Sequence, residues 1–232
     1  MSLPARLHAQ AVSRALVYLH GFASSPRSSK AQFFASRAAA AGLRVDVPDL
    51  NVPDFHALTV TRMLDAVDAS LEAIGDGPVA LVGSSLGAFV AVLAADRRVR
   101  AFRRPDIDRV VLLAPALDLV PSLESDLGAD ALADWQGRDR RDVFHYADNQ
   151  MRTLGWAFMA DARQYDAFGV QFDRPVLIYQ GTRDEVVQPA SVERWADGRP
   201  GVTLRLVDDG HQLLQHMEPL WEDVARFIGA GA

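Results

Sequence analysis

Six short runs rich in valine, leucine and isoleucine recur along the chain, at 15–20, 43–47, 79–83, 109–113, 176–180 and 202–207, and helix-like segments lie between them. Few folds admit that alternation. Neighbouring parallel strands need a long crossover to bring the chain back to the same end of the sheet, and a helix is the usual one. Helices on both faces then bury the strands, so each strand reads as a continuous apolar run rather than an alternating one. Each run here is closed by a nearby Gly, Pro or Asp. The expectation is an α/β fold with a mostly parallel sheet of about six strands.

The connecting segments support it. Val60, Leu64, Val67, Leu71 and Ile74 repeat at three- and four-residue steps, one helix stripe that Gly75-Asp76-Gly77-Pro78 ends. A second helix is expected from about Ser29 to Ala41, stopping at Gly42, and another from Pro219 to Ile228. The helix starting near Ser85 is apolar on every side, through Ala88, Phe89, Val90, Ala91, Val92 and Leu93, and belongs in the centre of the molecule. One interval, 118–172, is too long for an ordinary crossover. It concentrates aromatic residues: Trp135, Phe144, Tyr146, Trp156, Phe158, Tyr165, Phe168 and Phe172. The domain expectation is a core from 1–117 and 173–232 with a helical cap, 118–172, inserted between the fourth and fifth strand candidates. Its inner face is expected to be apolar, as a lid over a nonpolar group or as a small hydrophobic subcore.

Length and composition bound the chemistry. With 232 residues, 49% of them hydrophobic, the chain can bury a large core and an insertion, but not two full domains. It has no cysteine, which excludes disulfides, thiolate metal sites and a cysteine nucleophile. The formal charge of −6, from 30 acids against 24 bases, argues against a nucleic-acid partner. Among those bases only Lys30 is a lysine, and the arginine- and alanine-rich bias reads as genome composition. The first residues lack the pattern of a secretory signal, and the longest all-apolar stretch, 88–95, falls far short of the ~18 residues a membrane span needs. A soluble cytoplasmic protein is expected. Histidines scattered singly offer no metal site, and no phosphate loop or G-x-G-x-x-G turn opens a helix after a strand. The run Arg97-Arg98-Val99-Arg100-Ala101-Phe102-Arg103-Arg104 reads as a solvated connection.

The sharpest motif is Gly83-Ser84-Ser85-Leu86-Gly87, a G-x-S-x-G sequence directly after a strand and before an apolar helix. A tight strand-to-helix turn forces its central side chain into unfavourable backbone angles, and small residues two before and two after relieve the clash. Ser85 holds the central place. The following amide, Leu86, starts a helix and points where an oxyanion would form. A serine hydroxyl is a weak nucleophile until a base takes its proton, so a histidine and an orienting carboxylate are needed. Of His8, His20, His56, His145, His211 and His216, the choice is His211, which follows a strand end in the turn Val207-Asp208-Asp209-Gly210-His211; His8 precedes any core element and His145 lies in the expected cap. His56 and His216 look like helix-surface residues. For the acid, Asp184 in Gly181-Thr182-Arg183-Asp184-Glu185 follows the 176–180 strand and gives the chain order Ser, Asp, His; Asp118 competes. Glu185, Asp208 and Asp209 read as solvated turn residues. His20-Gly21-Phe22-Ala23-Ser24-Ser25-Pro26 supplies a second oxyanion loop, with the Phe22 amide as donor and His20 bracing the loop.

Val17-Tyr18-Leu19-His20-Gly21-Phe22-Ala23-Ser24-Ser25-Pro26-Arg27-Ser28-Ser29-Lys30-Ala31, together with Val82-Gly83-Ser84-Ser85-Leu86-Gly87, Gly181-Thr182-Arg183-Asp184-Glu185-Val186-Val187 and Asp209-Gly210-His211, resembles the α/β-hydrolase superfamily and, within it, the small bacterial YqiA-like esterases. The resemblance covers the core and omits 118–172. It implies a Ser85–Asp184–His211 triad, an oxyanion hole from Phe22 and Leu86, and hydrolysis of short acyl esters without a cofactor. The functional expectation is a serine hydrolase acting on a small-molecule ester or thioester. A peptidase or amidase on small substrates, or a non-catalytic ligand-binding protein on the same fold, are the other readings.

Overall fold

The computed structural model describes residues 14–101, 105, 107–171 and 173–230. Strands β1 (Ala15–Leu19), β3 (Val79–Ser84) and β7 (Val176–Gly181) are buried along their whole length. That is what uninterrupted aliphatic runs demand, since both faces must be covered. With β2 (Arg44–Asp46), β4 (Ile107–Leu113) and β8 (Val202–Val207) they form a six-stranded, all-parallel sheet in the order β2-β1-β3-β4-β7-β8. These six strands coincide with the six runs read from the sequence.

Successive side chains of each strand serve opposite faces. Leu16, Tyr18, Ala80 and Val82 pack under α1 (Ser29–Ala40) and α7 (Met217–Ile228), where Tyr18 stacks on Phe34 with ring centroids 5.3 Å apart. Ala15, Val17, Leu19 and Leu81 face α2 (Val60–Ile74), α3 (Leu86–Arg100) and α6 (Pro189–Ala196). Local chemistry sets the helix ends. The Ser28 and Thr59 hydroxyls accept from the Ala31 and Arg62 amides at the starts of α1 and α2, and Gly75 ends α2 at φ 72°. α3 is buried continuously from Leu86 to Ala95, as its all-round apolar sequence requires.

The chain leaves β1 toward β2 but leaves β3 in the opposite direction, toward β4. The loops after β1 and β3 therefore part at the carboxyl edge and open a crevice between them.

The interval between β4 and β7 holds α4 (Leu119–Arg138), broken where Gly128 takes φ 72°, then an antiparallel hairpin of β5 (Arg141–His145) and β6 (Gln150–Leu154), then α5 (Ala157–Ala162). The hairpin adds strands where only helices are expected. Its residues alternate weakly, because the hairpin has one solvated face and its turn is made by Asn149 at φ 52° rather than by glycine. Of the two readings for the aromatic inner face, a separate subcore does not form: Trp135, Leu154, Phe158 and Met159 join the apolar cluster that lies under α2 and α3. His56 stands exposed in the turn before α2, not on a helix. The first part of the basic run is also not a solvated connection. Arg98 is buried against Asp68 at 2.9 Å, and Arg97 pairs with Asp65 at 3.0 Å, pinning α3 to α2. Phe102, Arg103 and Arg104, with His8 and Phe172, lie outside the described residues.

Candidate active site

Ser85 sits at the crevice, between the end of β3 and the start of α3, with φ 54° and ψ −116°. A non-glycine residue holds such a conformation only when its surroundings force it. They do: the Ser85 amide donates to the Leu113 carbonyl at 2.9 Å, and its carbonyl accepts from the Ala88 and Ala116 amides at 3.0 and 3.3 Å. Two glycines allow the close approach. A Cβ on Gly83 would stand 2.4 Å from the Gly87 carbonyl oxygen, and one on Gly87 only 2.1 Å from the Leu19 carbonyl oxygen.

The loops after β7 and β8 bring Asp184 and His211 to the same point. His211 Nδ1 lies 2.9 Å from Asp184 Oδ2 and 3.1 Å from Oδ1, while His211 Nε2 lies 3.1 Å from Ser85 Oγ. With the imidazole proton on Nδ1, donated to the carboxylate, Nε2 accepts from the Ser85 hydroxyl. Asp184 also accepts from the Val186 and Val187 amides at 2.9 and 2.8 Å and from Gln180 Nε2 at 3.0 Å. Burial pushes its carboxyl up, but the bonds from His211, the Val187 amide and Gln180 outweigh burial and hold it below the usual carboxylate range. Asp118, the competing acid, instead leads into α4, 3.9 Å from Arg194, and makes no hydrogen bond to His211 among the described residues.

One of the three turn residues differs from expectation. Asp208 and Glu185 are exposed, but Asp209 is buried, accepting from the Gly210 and Gln215 amides at 2.8 and 2.9 Å and facing His216 Nδ1 at 3.1 Å. Its partners come from the few residues that follow it, so it folds the His211 loop back on itself. His216 is thereby half-buried at the helix start rather than on a helix surface.

Phe22 and Leu86 line the same cavity as Ser85, and their amides form no hydrogen bond among the described residues. Leu86 is the first residue of α3, where an amide has no intrahelical acceptor. His20 is buried: its Nε2 accepts from the Leu50 amide at 3.0 Å, so its proton lies on Nδ1, which donates to the Gly21 carbonyl at 3.0 Å. It braces the loop, as expected.

Two cavities meet at Ser85. The smaller, about 260 Å³, runs under α4 and is walled by Phe22, Leu119, Leu123, Leu127, Trp135 and Phe158. The larger, about 890 Å³, opens on the other side over Tyr18, Lys30, Ser84 and His211. Lys30, 7% exposed, donates from Nζ to Ser84 Oγ at 3.3 Å. Burial pulls its ammonium down to about 8, against the attraction of Asp184 and Asp209. Three residues escaped the sequence reading: Gln180, whose contact with Asp184 needs the turn to be closed; Asp209; and Lys30, whose only signal was being the sole lysine.

Among the described residues, no group of three or more His, Asp or Glu could hold a metal ion, and no helix is long and apolar enough to cross a membrane.

Solved structures share the architecture. A putative hydrolase from Agrobacterium vitis S4 superposes with a TM-score of 0.82 at 23% identity, over 93% of this chain and 88% of that one. Mouse alpha/beta hydrolase domain-containing protein 10 gives 0.76 at 19% identity, over 93% and 89%. A monoacylglycerol lipase from Paleococcus ferrophilus gives 0.67 at 18% identity, over 92% and 93%. No curated protein matches the chain. The fold is the α/β-hydrolase fold. The model of one family, described as Uncharacterised protein family (UPF0227) and corresponding to the YqiA-like proteins the first motif resembles, matches residues 15–228, and the chain belongs to that family.

Proposed function

We propose that this protein is a serine hydrolase that cleaves carboxylic esters or thioesters through an acyl-enzyme on Ser85. The observation that carries the proposal is the continuous relay of hydrogen bonds from Asp184 through His211 to the hydroxyl of Ser85, at 2.9 and 3.1 Å, on a residue held at φ 54°. Ser85 Oγ attacks the carbonyl carbon as its proton passes to His211 Nε2, and the Phe22 and Leu86 amides receive the charge that develops on the carbonyl oxygen. Asp184 stays ionised, holding the imidazole in orientation and stabilising the imidazolium. As the tetrahedral intermediate collapses, the C–O or C–S bond breaks and His211 returns the proton to the departing oxygen or sulfur. Water, activated by the same imidazole, then attacks the acyl-enzyme and releases the acid and free Ser85.

The apolar wall under α4 supports an apolar acyl group. Neighbours whose names describe a hydrolase and a monoacylglycerol lipase fit the same reaction class. A fluorophosphonate probe followed by mass spectrometry tests the proposal. An adduct on Ser85, absent when His211 is changed to alanine, is expected; native-like turnover of p-nitrophenyl acetate by Ser85→Ala would overturn it.

A further inference from the structure

The two cavities meet at Ser85, and of the two only the larger is lined by His211. The departing oxygen or sulfur of an ester must be reached by the imidazole that returns its proton, so the leaving group belongs in the larger cavity, which His211 lines. The smaller cavity contains Ser85, Phe22 and Leu86 but not His211, and takes the acyl group. This assignment rests on the esterase reading above.

The wall of the larger cavity has a charge that the chain as a whole does not. The molecule carries 30 acids against 24 bases, yet the cavity is lined by Arg27, Lys30, the Tyr18 hydroxyl and a series of serines, and by no Asp or Glu. Lys30 forms its floor. Lys30 is more than nine-tenths buried, and its ammonium has three donors, of which one meets Ser84; among the described residues no carboxylate comes within ion-pair distance of it. Asp184 and Asp209 attract it from a distance, but both carboxylates are themselves buried and turned to other partners. A buried cation with open donors is costly unless something binds it. Ser29 and Lys30 also begin α1, so the positive end of that helix faces the same space.

We propose that the leaving group of the substrate carries an anion, a carboxylate or a phosphate, bound by Lys30 at the floor and Arg27 at the mouth of this cavity. The anion takes no part in bond making; it stays on the alcohol or thiol that departs and holds the scissile bond between Ser85 and His211.

The titratable and charged groups around Lys30 are Tyr18 on β1, Arg27 on its own loop, Asp184 beyond β7, and Asp209 and His211 beyond β8. Burial holds Tyr18 well above its ordinary range, so it stays neutral. Lys30 is the group that changes: charged below about 8 and neutral above. Preference for an anionic leaving group is therefore present at neutral pH and lost as pH rises through that value.

Three acetate esters test the site: 3-carboxyphenyl acetate, its phosphate counterpart 3-(phosphonooxy)phenyl acetate, and the neutral 3-carbamoylphenyl acetate. At pH 7 the native protein is expected to favour at least one anionic ester over the neutral one by about tenfold or more in kcat/KM, with the gain in KM. Preference for one arm identifies the anion as carboxylate or phosphate. Lys30→Met is expected to abolish the preference; should that variant not fold, the native protein's preference must still decline above pH 8, and Arg27→Gln, a change at an exposed position, must weaken it. Equal cleavage of all three esters at pH 7 overturns the anion site and leaves the esterase reading standing. Cleavage of none, with no probe adduct on Ser85, overturns both.

Discussion

The two cavities at Ser85 are built from different parts of the chain and by different chemistry. The smaller is closed by α4, the hairpin and α5, a wall of leucines and aromatic rings in which Phe22 meets Phe158 at 5.7 Å and Trp135 meets Trp156 edge-on at 5.3 Å. The larger is walled on one side by the loop after β1 and the start of α1, a stretch of serines with two basic residues, and elsewhere by the tip of the hairpin and the loops after β7 and β8. One half of the site excludes water by bulk, while the other offers donors. The difference teaches that the two halves of a substrate can be selected largely independently, because the linings of the two cavities have in common only Ser85, Phe22, Val143 of the hairpin and Val186.

The changes that strike both cavities should have the largest effects. Ser85→Ala removes the proposed nucleophile common to them and is expected to lower kcat on every ester by about four orders of magnitude or more, read by single-turnover kinetics. Gly87→Ala places a methyl 2.1 Å from the Leu19 carbonyl and must displace either α3 or β1; a stability loss of about 3 kcal/mol or more is expected in denaturant unfolding, with activity falling on all substrates. Leu123→Trp fills only the apolar cavity: kcat/KM for an octanoyl ester should fall by about thirtyfold while that for the acetyl ester of the same alcohol changes little. If both fell equally, the acyl group would not lie under α4.

A smaller effect is expected at Gln180, which touches neither cavity. Its amide donates to Asp184 and to the Gly181 and Val187 carbonyls, while its own oxygen is buried with no partner. Gln180→Leu removes a bond that helps hold the Asp184 carboxyl low, so the carboxyl rises. Asp184 is depressed in the folded protein, so its contribution is present at neutral pH and lost on acidification. In the variant that loss should begin at a higher pH, with kcat at neutral pH reduced by about tenfold and KM little changed. A shift confined to one class of leaving group would show that Gln180 acts on a cavity rather than on the carboxylate.

Much of this arrangement was legible in the residues. The six apolar runs announce the sheet because a buried parallel strand has no polar face to interrupt it, and Gly83-Ser84-Ser85-Leu86-Gly87 announces the turn because only glycine fits where β1, β3 and α3 converge. What was not legible depends on closure in three dimensions. The hairpin hides in Arg141-Asp142-Val143-Phe144-His145 because its outward positions carry ordinary polar residues and even an exposed phenylalanine. Asp209 reads as a turn residue until the Gln215 amide and His216 come back over it. Lys30 follows a polar, serine-rich stretch at the start of α1, and nothing in that stretch says that the side chain enters the molecule instead of leaving it.

The contact between Gly87 and the end of β1 also bears on how such a protein can change over time. The first turn of α3 rests on the Leu19 carbonyl with no room for a single added carbon, so Ser85 cannot be nudged by substitution in small steps. Variation that survives has to happen in the walls, in the α4-to-α5 segment and in the serine-rich loop, while the elbow itself stays as it is. On the proposed reaction, a lineage built on this chain can drift readily between substrates, yet is anchored to one way of attacking them.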